Sequence, residues 1–117
     1  MSIEERIQDY HVHVYYNAES KPRAEALRAK LEAAFPEAEY GRWHDQPVGP
    51  HPEGSYQVKF GHDLFARIVP FVALEREGLT LLVHPNSGDH LADHQDNAIW
   101  MGSMPALKLS IFEKGKE

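Results

Sequence analysis

Residues Asp9 to Tyr16 alternate with the two-residue period of a strand, placing Tyr10, Val12, Val14 and Tyr16 on one face and His11, His13 and Tyr15 on the other. One face has the composition of a core; the other carries chemistry. From Ser20 to Phe35, Ala24, Leu27, Leu31 and Ala34 recur at helical spacing. Ser20 is the expected N-cap, Pro22 falls in the first turn where its missing N–H costs little, and Pro36 stops the helix. A second strand is expected near Ala38 to His44, followed by the loop DQPVGPHPEG. Ser55 to Phe60 alternates again, with Tyr56, Val58 and Phe60 on one side. Asp63 should cap a helix running toward Gly78 with Phe65, Ile68, Val69 and Val72 on its apolar stripe, and Pro70 inside it predicts a kink or an interrupted first turn. Leu79 to Val83 has the apolar, partly β-branched makeup of a buried strand. The turn-rich HPNSGD leads into a partly helical stretch from His90 to Met101, and Leu107, Leu109 and Ile111 alternate in a final strand.

The resulting order is strand, helix, strand, strand, helix, strand, then an extra segment and a fifth strand. It suits an α+β sandwich of ferredoxin-like type: an antiparallel sheet with two helices on one face, plus an extra C-terminal strand. With 117 residues and 42% apolar content, the chain has material for one core, so residues 1–117 are taken as a single domain. No internal repeat divides it.

Composition narrows the chemistry. There are no cysteines, which removes disulfides, thiolate metal sites and thiol nucleophiles. A metal would need nitrogen and oxygen ligands. The start, MSIEERIQDYH, lacks the apolar stretch of a signal peptide, and no run approaches the roughly 20 apolar residues that cross a bilayer, so the cytoplasm is the expected compartment and no membrane partner is expected. Net charge is −6, with twelve Lys and Arg scattered among eighteen carboxylates. No basic stripe is available to neutralise a phosphate backbone, so nucleic acid is not an expected partner either. GxSxG, HExxH and phosphate-binding glycine loops are all missing, and Ser87 near His84 has no oxyanion-hole signature beside it.

The chain has eight histidines, five of them in two short windows. In HVHVYY, His11 and His13 point the same way from one strand, about 7 Å apart at their roots, a spacing that permits convergence on one ion. Two exposed histidines on a solvated sheet face would have the same spacing. In a ferredoxin-like topology the first strand is central and antiparallel to the fourth, which brings His84, at the end of LTLLVH, close to both. HPNSGDHLADH adds His90 and His94 on one face of any helix there, with Asp89 and Asp93 available to ligate, to orient a ligand, or simply to sit in a solvated turn. His51, between prolines in VGPHP, is held on a stiff loop suited to proton transfer, or is merely structural. His44 and His62 have no partner argument and are treated as surface residues. Trp43, Tyr56, Trp100, Tyr15 and Tyr16 are either walls of an aromatic pocket or core.

The strings YHVHVYY, VGPHP and LLVHPNSGDHLADHQDNAIWMG together resemble the dihydroxyphenylalanine (DOPA) 4,5-dioxygenase family of fungal pigment formation and its bacterial homologues, over residues 9 to 112. The resemblance implies extradiol cleavage of a catechol by O₂, with ferrous iron, in a ferredoxin-like dimer. It places the family's histidine positions on His11, His13, His51, His84 and His94. Fe(II) is then the expected metal, with other divalent ions suited to the same ligands. His11, His13 and His84 have the geometric case for holding it, leaving His51 and His94 as the catalytic acid/base candidates. A homodimer is expected to cover the histidine face of the sheet. The alternative is a non-catalytic ferredoxin-like module that binds a metal or an aromatic ligand.

Overall fold

In the computed structural model, the residues described are 1–114, and they form one α+β layer pair around a five-stranded antiparallel sheet. The elements are α1 (Ile3–Arg6), β1 (Asp9–Tyr16), α2 (Lys21–Ala34), β2 (Glu39–Tyr40), β3 (Gly54–Phe60), α3 (His62–Glu75), β4 (Leu81–Asn86), α4 (His90–His94), β5 (Ile99–Met101) and α5 (Ser110–Lys114). Strand order is β2-β3-β1-β4-β5. The first four strands and the two long helices give the ferredoxin-like arrangement expected from the sequence, with β1 in the middle. Among the described residues no helix is long and apolar enough to cross a membrane.

The alternation in β1 determines which layer lies on which side. Tyr10, Val12, Val14 and Tyr16 join Tyr56, Val58 and Phe60 of β3 and Leu81 and Val83 of β4 in a single buried cluster. Helices α2 and α3 close this face with Ala24, Leu27, Leu31, Leu64, Ile68 and Val72. Each fully buried leucine there contributes about 2 kcal/mol through removal of apolar area from water. On α3, Leu64 lies deeper than Phe65 and Val69, which are only half buried against the core.

Several local expectations are corrected. Ser20 occupies the N-cap of α2 but makes no capping bond. Its hydroxyl accepts instead from the Asn17 N–H at 2.9 Å, while Asn17 Oδ1 accepts from the Ser20 N–H at 2.9 Å, so the pair closes the turn before the helix. The cap of α3 is Gly61, and Asp63 lies in the first turn. Helix α3 runs unbroken through Pro70; Pro70 and Ala66, whose carbonyl loses its donor, both lie on the exposed side where water replaces the bond. Strand β4 extends to Asn86, past the expected end at Val83. Pro85 is tolerated because β5 pairs only with Leu81, Leu82 and Val83, leaving the outer edge of β4 open beyond them.

The fifth strand exists but lies at Ile99–Met101, not at Leu107–Ile111. Ile111 falls in α5, and Leu107 and Leu109 are half-buried in irregular chain. With the edge of β4 already taken by residues 99–101, the later alternation has no partner strand; the Lys108 N–H bonds the Pro50 carbonyl at 2.9 Å instead. Expected β2 shrinks to Glu39–Tyr40, followed by a single bridge from His44 to Ser55. That bridge needs Gly54. A Cβ there would lie 2.9 Å from the His44 carbonyl oxygen and 3.1 Å from those of Asp45 and Tyr16.

Leu27 lies wholly inside the helix–sheet interface. Leu27→Ala should therefore lower the unfolding free energy by about 2–5 kcal/mol. Urea denaturation checks this as a lower midpoint at an unchanged slope.

Candidate metal centre

The face of the sheet away from α2 and α3 gathers the histidines. Register pairs His11 directly with His84 and His13 with Leu82, while on the other side His13 pairs with Gln57 and Tyr15 with Ser55. Paired residues share a face, so His11, His13 and His84 lie together. Each offers a ring nitrogen, and those three atoms all lie within 4.8 Å of one another. His13 and His84 are buried and His11 is half-buried. The Nε2 atoms of His13 and His84 are 3.0 Å apart. That is a hydrogen bond between neutral rings with His13 donating, and it is also the spacing of two neighbouring nitrogens around an ion at bonds of about 2.1 Å.

Backbone carbonyls decide two tautomers. His84 Nδ1 lies 2.8 Å from the Pro85 carbonyl and His94 Nδ1 lies 2.7 Å from that of His90. A carbonyl only accepts, so both Nδ1 atoms carry the proton and both Nε2 atoms present lone pairs, the outer support that ligating imidazoles ordinarily have. His94, in the single turn of α4, sits with its ring 4.1 Å from that of His84 and 6.3 Å from that of His13, and rests on Phe112 at 4.5 Å. His51 comes in from the loop with its ring 4.2 Å from that of His13, and its Nδ1 is 2.7 Å from the Tyr15 hydroxyl. All five histidines singled out in the sequence therefore meet in one cluster.

Burial keeps this cluster uncharged. His13 is held well below the usual histidine range by desolvation and then by the neighbouring imidazoles. Desolvation pushes His84 down to about 3, against the opposing pull of the Pro85 carbonyl, and His51 down to about 4. His11 and His94 are lowered for the same first reason. Burial also raises the Tyr15 hydroxyl, which stays protonated. Neutral imidazoles are the form that binds a metal, and three of them with no cysteine and no carboxylate among them suit a divalent ion that takes nitrogen ligands.

The other candidates have other uses. Asp93 is buried and accepts from the Ser87 N–H at 2.8 Å, the Ser87 hydroxyl at 2.7 Å and Asn97 Nδ2 at 3.1 Å, so it locks the turn that carries His94 rather than facing the cluster. Asp89 caps α4 through the Ala92 N–H. His90 is exposed and stacks on Phe112. His62 is not the surface residue expected: its Nε2–H donates to the Ile7 carbonyl at 2.7 Å, and its Nδ1 accepts from the Tyr10 hydroxyl at 3.1 Å. His44 is half-buried in the bridge to Ser55. Of the aromatic residues, Tyr16, Trp43 and Tyr56 belong with the helix-covered core, whereas Trp100 stacks on Tyr15 on the histidine side. The Tyr15–His51 bond was not anticipated, although Tyr15 follows His11 and His13 at the same two-residue step. Within the chain, His94 of α4 and His51 of its loop pack against His84 and His13, and His13, His51 and His84 are 5%, 7% and 1% exposed.

Unfolded histidines take up protons near pH 6.5, whereas the buried rings resist until far lower pH. Between those values the unfolded chain binds more protons, so stability is intact above about 6.5 and declines as pH falls through about 4 for His51 and about 3 for His84. Urea midpoints of metal-free protein should show this decline; a flat profile across the window would contradict a neutral buried cluster.

Comparison with known proteins identifies the family. The model of the Dopa 4,5-dioxygenase family matches residues 10–111. A crystal structure of a provisionally assigned dioxygenase from Nostoc punctiforme superposes with a TM-score of 0.92 at 41% identity, covering 97% of this chain and 98% of that one. An uncharacterized 21.2 kDa protein from Botryotinia fuckeliana is 32% identical across 92% of this chain, and the DOPA 4,5-dioxygenase of Amanita muscaria is 28% identical across 92%. The chain spans 65% and 51% of the lengths of these two fungal relatives. With the family model matched over most of its length and five histidines brought together on one sheet face, the chain belongs to the Dopa 4,5-dioxygenase family.

Proposed function

We propose that the protein is an iron-dependent extradiol dioxygenase that opens the ring of a catechol, such as DOPA or a related aromatic, with both atoms of O₂ entering the product. The observation carrying this reading is the convergence of His11, His13 and His84, with ring nitrogens within 4.8 Å of one another, in a member of a dioxygenase family. These three residues are assigned as the metal ligands, with Fe(II) as the ion and other divalent metals as substitutes. Such an ion would supply Lewis acidity toward the catechol oxygens and electrons for O₂.

His51 and His94 are assigned to proton transfer. The Tyr15 hydroxyl can donate to His51 Nδ1 or accept from it, so His51 can present either a lone pair or a proton at Nε2 while the 2.7 Å bond persists. That suits a group which takes a phenolic proton and later returns it. His94, with Nδ1–H held by His90, presents only a lone pair and acts as a base. Burial of His13, His51 and His84 excludes bulk water from the inner side of the site.

Iron-loaded protein mixed with several catechols should consume oxygen and form a yellow ring-opened product. Binding of catechol with no oxygen uptake would favour a non-catalytic module instead. In the same assay, His11→Ala, His13→Ala or His84→Ala should lose metal and activity together, while His51→Ala keeps the metal and loses about 10²–10⁴-fold in turnover. Metal loss from His51→Ala with retention in His11→Ala would invert the assignment.

A two-fold homodimer belongs to the same proposal, supported by the exposed apolar side chains of Val48, which shares a cavity wall with His13 and His51, and Ile111, next to the Phe112 that packs on His94. Sedimentation at micromolar concentration should return twice the chain mass of 13.3 kDa. A fully active monomer would remove it.

A further inference from the structure

We propose that Arg42 is a specificity-determining residue that binds a carboxylate on the ring substituent of the substrate, so that the site prefers acidic catechols to neutral ones of the same size. The inference rests on the catechol-binding reading of the histidine cluster and assigns a role to a residue outside it.

A cavity of about 160 Å³ opens beside the cluster, with His13 and His51 in its wall and Gln57, Ser55, His44 and Arg42 around them. Cavities of about 150 Å³ accommodate a benzene ring, so this one holds a ring or its substituent but not a large ligand entire. A molecule entering this cavity meets two of the clustered histidines, His13 and His51, and Arg42 in the same wall. The charge of that wall is unusual for this protein. The chain carries −6 overall, yet no carboxylate lines the cavity, and Arg42 is its one permanently charged group.

Arg42 is also unengaged. Among the described residues it makes no ion pair, side-chain hydrogen bond or ring contact. Two carboxylates lie three residues away in sequence: Glu39 makes no ion pair with Arg42, and Asp45 is already held by Lys21 at 3.0 Å and by the Tyr16 hydroxyl at 2.8 Å. The backbone on both sides of Arg42 is nonetheless fixed to β3. The Gly41 N–H donates to the Gln57 carbonyl at 2.8 Å, and the Gly41 carbonyl accepts from Arg28 at 2.7 Å. His44 and Ser55 exchange backbone bonds of 3.0 and 2.8 Å. The chain thus anchors the root of Arg42 at the cavity while leaving its guanidinium without a partner, and a guanidinium binds a carboxylate through two parallel N–H···O bonds. Because Arg42 is exposed, solvent screening limits the preference to about tenfold.

The test is an anaerobic titration of Fe(II)-loaded protein with dihydroxyphenylpropionate and with its primary amide, which has the same size without the charge. Wild type should bind the acid about tenfold more tightly. Arg42→Ala should lose that preference, Arg42→Lys should keep part of it, and unchanged circular dichroism shows that both variants fold. Equal binding of acid and amide by wild type, or an acid preference surviving in Arg42→Ala, overturns the proposal and leaves Arg42 an ordinary surface cation. Admitting oxygen separates the two readings. An Arg42-dependent acid preference without oxygen uptake keeps this assignment and removes the dioxygenase, whereas ring opening of acid and amide with equal kcat/KM does the reverse. Failure to bind either compound overturns both.

Discussion

The structure depends on one constraint: β1 is buried on both faces, and its two faces must be filled with different kinds of side chain. Valines and tyrosines on one side anchor the helix layer, while imidazoles on the other are removed from water without being charged. Strand periodicity makes this possible, because alternate residues are committed to opposite sides and neither set can encroach on the other. Register carries the same weight. Opposing His11 to His84 brings the two strands' imidazoles together, and a one-residue slip would send them into the apolar layer.

Burying polar rings is costly unless each finds a partner, and the cluster meets that demand locally. His84 and His94 use carbonyls within four residues of themselves, and His51 uses a tyrosine two residues along β1 from His13. Neighbouring backbone consequently orients His84 and His94, while β1 orients His51. Asp93 shows the same economy one step further out, since its carboxylate holds the turn together and so places α4 without joining the histidines.

Much of this was legible in the sequence because it rests on periodicity. HVHVYY identified the two-faced strand, the Leu27 and Leu31 spacing identified α2, and the topology that followed brought His84 to His11 and His13. The errors fall where short patterns have more than one solution. Leu107, Leu109 and Ile111 alternate like a strand, but strand formation needs an edge to pair with, and Ile99–Met101 had taken it. His62 looked like a surface residue because its partners, Tyr10 and the Ile7 carbonyl, are more than fifty positions away. Arg42 gave no signal at all; its interest comes from the cavity beside it and from the absence of carboxylates there, neither of which has a sequence pattern.

Gly54 leads to a different kind of conclusion. The segment around His44 lies so close to β3 that even a methyl group would meet three carbonyl oxygens. A wall pressed that tightly against a sheet has no slack with which to swing aside, so this side of the cavity behaves as a fixed template and not as a hinged cover. Tolerance for molecules of different length must then come from the long, rotatable side chains mounted on it. Relatives with altered selectivity would be expected to differ in the residues projecting from this segment while keeping its backbone path.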